Sequence, residues 1–253
     1  MMAAEHQAAL RGRLRHDESM ARHVSWRTGG PARTFYEPAD AGDLAVFLKQ
    51  LPADEPLLWL GLGSNLLVRD GGIPGTMGGA LAMNAGAFGG ETWPLVRRVE
   101  TIDRHGTRRW HEPGDFRVAY REVHGPAEEW FITVELQLQS GDGAAGLARV
   151  KELLERRNRS QPIGLPSCGS VFRNPPGDHA ARLIEACGLK GTCRGGACIS
   201  TKHANFIINS GDASAADIEA LITQVAEAVE QAHGVRLQRE VHIVGVAAGG
   251  VQS

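Results

Sequence analysis

From Gly71 to Gly90 the chain reads GGIPGTMGGALAMNAGAFGG. A stretch this rich in glycine makes a poor helix or strand interior, because glycine gives up more backbone freedom on folding than any other residue. Two readings remain: a flexible linker, or a path along which backbone must come close to something. Flexible linkers combine glycine with serine and lack apolar anchors, whereas Met77, Leu81, Met83, Asn84 and Phe88 punctuate this one. That argues against a simple linker and for a fold that brings backbone into close approach here.

The rest of the chain has the balance of a folded protein. It has 253 residues, 42% hydrophobic and 22% charged, enough for one large domain or two ordinary ones with a core of their own. The formal net charge of -2 carries no electrostatic footprint for nucleic acid, so an anionic substrate must be held by local groups. Cys168, Cys187, Cys193 and Cys198 form no C-x-x-C pair, which removes zinc-ribbon and thioredoxin-like readings and leaves four reduced thiols as the expectation. No metal is expected. The N-terminal segment is charged throughout and has no apolar h-region, and no apolar run is long enough to span a bilayer. A cytoplasmic monomer without membrane or nucleic-acid partners is the expectation.

Periodicity supplies the elements. Asp40 and Asp43 resemble a capping box, followed by Leu44, Phe47, Leu48 and Leu51 at helical spacing. Pro56 to Leu60 reads as a buried strand ending in Gly61-Leu62-Gly63-Ser64-Asn65, with Leu66 to Val68 as another strand. Strand-like patches follow at Val96 to Ile102 and Trp130 to Leu138, the second alternating as in a sheet with one wet face. Gly141 to Gly146 is a polar break and the candidate domain boundary. A helix over about Leu147 to Arg157 presents Val150, Leu153 and Leu154 on one face. Further on come a short helix, Ala180 to Cys187, closed by Gly188, and a strand from Ala204 to Asn209. Ser214 and Asp217 open a helix with Ile218, Leu221, Ile222, Val225 and Val229 on one stripe and Gly234 past its end. A last strand contains Val241, Ile243 and Val244. Strands and helices mix without a βαβ rhythm, so the fold class is α+β.

Three places could carry chemistry. The loop Gly61 to Asn65 follows a strand, and glycines there let backbone N–H groups approach a phosphate. It is neither a Rossmann fingerprint nor a P-loop, because Leu66 replaces the third glycine and no Gly-Lys-Ser/Thr occurs. Alone it reads as a plain turn; with the second glycine path, Ile73 to Gly79, it reads as a diphosphate cradle. The run Ser167-Cys168-Gly169-Ser170-Val171-Phe172-Arg173-Asn174-Pro175 packs a hydroxyl, a guanidinium and an amide beside a glycine, or is a turn with incidental polar residues. Glu240 in a strand-like run, and Arg121 after Tyr120, are either cleft residues or ordinary solvated groups.

Taken together and in order, these strings resemble the MurB family. The resemblance runs from about Val24 to Gly245. It rests on Arg27 to Ala32, Gly61 to Val68, Ile73-Pro74-Gly75-Thr76 through Met83-Asn84-Ala85-Gly86-Ala87, Tyr120-Arg121, Gln161-Pro162, Gly169 to Pro175, Ala181 to Glu185, Ser200 to Asn209 and Glu240-Val241. It implies a domain of the vanillyl-alcohol-oxidase (PCMH) type over residues 1–145, which binds FAD. It also implies a substrate domain over 146–246 and a tail at 247–253. The activity implied is reduction, by FAD recharged from NADPH, of the enolpyruvyl ether of UDP-N-acetylglucosamine to UDP-N-acetylmuramate in peptidoglycan synthesis. By the same resemblance Gly61, Gly63, Ser64, Asn65, Gly75, Thr76, Gly78 and Gly79 hold the flavin. Arg121 faces the negative charge that accumulates on the substrate carboxylate, Ser170 donates the proton to the α-carbon, and Glu240 stands by as an acid or orienting group. Tyr120 and Asn174 contact substrate.

The chain departs from the family at one important junction. Arg69-Asp70-Gly71-Gly72 runs straight into Ile73-Pro74, where the family interposes several strands and a helix, on the order of forty to fifty residues at ordinary element lengths. Loss of that segment leaves strand edges and part of a core to be accounted for. Smaller departures are Glu122-Val123 after Arg121, where Asp-Ser is common, and His242 in place of an arginine. No tyrosine lies between Arg121 and Ser170, so the branch of the family without a substrate-clamping tyrosine loop is the better match. The alternatives are a remnant that keeps only UDP-sugar binding, and a different flavin oxidoreductase sharing the N-terminal fold.

Overall fold

The computed structural model describes residues 9–60, 66–68, 79–84, 86–87 and 89–246. The glycine loop at 61–65 and the fused junction through 78 lie outside the described residues, and with them the proposed flavin contacts Gly61, Gly63, Ser64, Asn65, Gly75, Thr76 and Gly78. In chain order the elements are β1 (Arg13–Ser19), β2 (Pro31–Glu37), α1 (Ala41–Gln50), β3 (Leu66–Val68), α2 (Gly79–Ala82), β4 (Gly86–Ala87), β5 (Gly90–Glu91), β6 (Val96–Asp103), β7 (Arg108–His111), β8 (Arg117–Ala119), β9 (Glu122–His124) and β10 (Glu129–Leu136). The series continues with α3 (Gly143–Ser160), α4 (Ala180–Ala186), β11 (Cys193–Arg194), β12 (Ala197–Ile199), β13 (Ile207–Asn209), α5 (Ala215–His233) and β14 (His242–Val244). Mixed sheets and helices of this kind agree with the α+β expectation. The chain forms two compact units. The first holds Met1–His16, Thr34–Leu60 and Gly75–Ser140, the second Asp17–Arg33, Gly61–Pro74 and Gly141–Ser253.

The first unit is organised round an antiparallel sheet in the order β10-β6-β7. Its faces are covered separately. Leu44 and Leu48 of α1 pack on Ile102, with Leu57, Trp59 and Ile132 against them. Trp93, Val96, Val99 and Phe116 form a second cluster with Phe131 and Val134. The expected strand at Pro56 to Leu60 is irregular backbone instead. Arg104 donates to the carbonyls of Pro52 and Glu55, and the segment is fixed by side chains, Trp59 stacking on Trp130 at 4.9 Å. The start of α1 is also more elaborate than a capping box. Asp40 accepts the N–H of Asp43, but the Asp43 carboxylate reaches Ala39, Arg11 and the Tyr36 hydroxyl.

The second unit has the larger core. The apolar stripe of α5 (Ile218, Leu221, Ile222, Val225, Val229) packs with Leu183, Ile184, Ile199, Ile207, Val171, Phe172, Trp26 and Leu67. The ends of α5 are as expected, with a Ser214–Asp217 capping box and Gly234 in the left-handed region at φ 67°. The strand expected from Ala204 is only Ile207–Asn209, because the preceding residues turn away to serve other partners. Helix α3 is longer than expected, and Leu147, Val150 and Leu154 are exposed. One expectation fails outright: Cys193 and Cys198 form a disulfide, while Cys168 and Cys187 keep their thiols. Cys193 and Cys198 face each other across the β11–β12 hairpin, a pairing that a search for C-x-x-C spacing does not find.

Candidate active site

In the first unit Tyr120 and Arg121 form the two-residue turn between β8 and β9, with Ala119 opposite Glu122. Such hairpin turns favour glycine or asparagine where φ is positive, yet Arg121 sits at φ 57°. A left-handed arginine costs about 1–2 kcal/mol, the kind of strain found where a side chain must be aimed. Its guanidinium donates to the carbonyl of Asn84 at 3.2 Å and lies 4.9 Å from the Tyr120 ring centre. Asn84 is buried and tied in turn to Glu91, to the carbonyl of Ala119 and to the N–H of Trp93. One asparagine thus grips both ends of the turn that presents the cation. Tyr120 is exposed. Val123 packs on the Trp93–Phe116 cluster, which accounts for an apolar residue at that departure from the family pattern.

In the second unit the segments that carry two of the expected residues lie side by side. The backbone from Val171 to Arg173 lies against that from Gln238 to Val241: Glu240 donates its N–H to the Val171 carbonyl at 2.8 Å, and Arg173 donates to that of Gln238 at 2.9 Å. Ser170 and Glu240 are therefore on adjoining segments, and both residues are half-buried. Two residues beyond Glu240, β14 pairs in parallel with β3, His242 opposite Leu66. Leu66 directly follows the glycine loop in sequence, so the strand that leaves that loop runs beside the continuation of the Glu240 segment. His242 is held below its ordinary pKa, first by partial shielding of its ring, although the residue is exposed overall, and then by the charges of Arg173 and Arg239. Asn174 is exposed, and its side-chain oxygen accepts the N–H of Ala180 at the start of α4.

Sequence reasoning assigns a site role to neither Asn84 nor Asn205, though both fall inside the motifs it uses. Asn205 is buried and bonds to both backbone groups of Phe172. The available signal is a polar residue inside a run of apolar ones, Ala204-Asn205-Phe206-Ile207.

Comparison with known proteins decides the family. Residues 161–244 match the family model for the UDP-N-acetylenolpyruvoylglucosamine reductase C-terminal domain. The reductase of that name from Alkalilimnicola ehrlichii is 56% identical over 297 residues, covering 98% of this chain and 99% of the relative. The chain belongs to the UDP-N-acetylenolpyruvoylglucosamine reductase family. The Methylococcus capsulatus reductase is 52% identical, with 97% of each chain covered. The crystal structure of the MurB reductase of Thermus caldophilus superposes with a TM-score of 0.79 at 27% identity, over 93% of this chain and 99% of that one. An alignment of 297 positions against a chain of 253 residues leaves gaps on this chain's side, so this family member is short. Among the described residues no helix is long and apolar enough to cross a membrane.

Proposed function

We propose that this chain reduces the enolpyruvyl ether of UDP-N-acetylglucosamine to UDP-N-acetylmuramate, using FAD recharged by NADPH, in the cytoplasm and as a monomer. The observation that carries the reading is the convergence, in one unit, of the Ser170 segment, the Glu240 segment and the strand that leaves the 61–65 glycine loop. The near-complete coverage of named reductases supports it.

The donor set suits a flavin diphosphate. By residue type, Gly61, Gly63, Gly75, Gly78 and Gly79 carry no side chain to bar a phosphate from backbone N–H groups, and Ser64, Asn65 and Thr76 would add side-chain donors. β3 begins directly after the first loop and α2 begins at Gly79, so each path joins a formed element. When bound, FAD supplies the hydride, received by the β-carbon of the enol ether. The protein's task is then the charge and the proton. As negative charge gathers on the substrate carboxylate and α-carbon, Arg121, already aimed by Asn84 and Tyr120, is the opposing cation, the large electrostatic contribution in such a step. Ser170 supplies the proton to the α-carbon; a hydroxyl is a weak acid, and a carbanion is basic enough to take its proton. Glu240, on the segment adjoining that of Ser170, is the orienting group for the substrate. Tyr120 and Asn174 contact the sugar-nucleotide.

Residues 1–145 are read as the PCMH-type flavin domain and 146–246 as the substrate domain, with a tail at 247–253. The family's missing segment is placed at the junction of Gly72 and Ile73. A remnant that binds only the UDP-sugar is the second reading, favoured by the shortness of the chain. One experiment separates them. Purified protein is expected to be yellow, with flavin absorbance, and to oxidise NADPH only when the enolpyruvyl substrate is added. A colourless protein that still binds the UDP-sugar would establish the remnant.

A further inference from the structure

The residue assigned as proton donor stands between a pivot and a clamp. Gly169, just before Ser170, is at φ 72° with nothing within 4 Å of where a Cβ would sit, a left-handed pivot that glycine adopts without strain. The two residues after Ser170 are held tightly. Val171 N–H donates to the backbone carbonyl of Asn205 at 2.9 Å. Phe172 N–H donates to the Asn205 side-chain oxygen at 3.0 Å, and the Asn205 amide donates back to the Phe172 carbonyl at 2.8 Å. From the other side, the Val171 carbonyl accepts Glu240 N–H. The serine segment is thus held between Asn205 and Glu240, and Asn205 is only 3% exposed.

The position of Asn205 is fixed independently of substrate. The Ser200 hydroxyl accepts the N–H groups of Lys202 and His203, and Ser200 N–H donates to the Phe206 carbonyl, closing the turn that carries Asn205. An apolar side chain of equal size would fill the space but leave a buried N–H and a buried carbonyl of Phe172 without partners. Only a group with one donor and one acceptor at this spacing closes both.

We infer that Asn205 is a positioning residue for the proton transfer: its two-way clamp on Phe172 sets where the Ser170 hydroxyl stands relative to the substrate α-carbon. The inference rests on the reading of Ser170 as donor. A displacement of about 1 Å at a reacting group costs on the order of a hundredfold in rate, so loss of the clamp should show as roughly ten- to hundredfold slowing of the step that Ser170 serves.

The test uses the full-length flavoprotein with Asn205→Ala, Ser170→Ala, the double variant and Asn205→Asp. Flavin reduction by NADPH and flavin reoxidation by the enolpyruvyl substrate are followed separately, and deuterium uptake is measured on the peptide covering 169–175. Asn205→Ala should speed exchange in that peptide, leave flavin reduction within about twofold, and slow reoxidation as above. Added to Ser170→Ala it should cost nothing further, because the group it positions is gone. Asn205→Asp keeps the shape. Its neutral acid can donate to the Phe172 carbonyl and accept from the N–H, so its reoxidation rate should fall with rising pH relative to the parent, as the buried acid ionises. Should Asn205→Ala not fold, that pH profile decides alone, and a profile parallel to the parent's overturns the inference. An additive double variant, or equal loss in both half-reactions, overturns it as well. Unchanged reoxidation in Ser170→Ala overturns instead the donor reading on which it stands.

Discussion

Replacing Asp43 by asparagine removes one negative charge from the first unit while keeping the side chain's shape. Asp43 is 1% exposed, and its carboxylate accepts from the Arg11 N–H at 2.8 Å, the Ala39 N–H at 2.9 Å and the Tyr36 hydroxyl. Burial alone would raise its pKa, but these bonds outweigh burial and bring it from 3.8 down to about 2. At about 1.4 kcal/mol per unit, the ionised carboxylate contributes roughly 2 kcal/mol. An asparagine NH2 turned toward those donors forfeits at least one charge-assisted bond, worth about 1.5–3 kcal/mol, and the two figures agree. The sign follows from the depressed pKa: the contribution is present above the unfolded value of 3.8 and is lost as pH falls through about 2. Four of the five tryptophans (Trp59, Trp93, Trp110, Trp130) belong to the first unit, so urea unfolding by fluorescence reads it. The parent should exceed Asp43→Asn by about 2 kcal/mol at roughly pH 6, and the difference should shrink to about 0.5 kcal/mol or less near pH 2, where the protonated acid resembles the amide. A constant difference across that range, or none at neutral pH, would refute the reasoning.

Three other outcomes are expected. Glu240→Gln should slow flavin reoxidation by substrate while leaving flavin reduction and flavin content intact; loss of flavin would make its role structural. Arg121→Lys keeps the charge but loses the planar group held by Asn84 and Tyr120, so reoxidation should slow roughly tenfold or more, and an unchanged rate would remove Arg121 from the charge-stabilising role. Under denaturing conditions without reductant, alkylation should modify two of the four cysteines, and all four after reduction; four at once would contradict the Cys193–Cys198 pair. That small loop should add about 2 kcal/mol to stability in the oxidised form.

Legibility in the sequence follows the range of the interactions. The capping box and left-handed glycine of α5 are local signals, and both are present where the pattern puts them. So are β6 and β10, the sheet strands whose apolar residues feed the two clusters of the first unit. Pro56 to Leu60 reads as a strand because its side chains are apolar, and Leu57 and Trp59 do pack. No ladder forms there, and nothing in five residues reveals that. Ala204 to Phe206 would continue β13 on pattern alone, but Asn205 spends its polar atoms on Phe172, 33 residues earlier. The hairpin disulfide depends on the turn at Gly195-Gly196, where Gly195 is at φ 52°, placing Cys193 opposite Cys198. The pairing of β3 with β14 joins residues from distant parts of the chain, and no local pattern announces it. The motifs single out Ser170 and Glu240, whose segments adjoin in the second unit, and Arg121, in the turn between β8 and β9 of the first. The asparagines packed behind them stay hidden, because a buried amide and a surface amide look alike until their partners are known.

A single-turnover measurement tests the proposed chemistry most directly. Enzyme-bound flavin is reduced anaerobically with NADPH, freed of excess nucleotide and mixed with the enolpyruvyl UDP-sugar. Flavin absorbance should return in one phase, with one equivalent of UDP-N-acetylmuramate formed per flavin reoxidised. Reduced flavin that persists in the presence of bound substrate, or reoxidises without product, would contradict the proposed reaction.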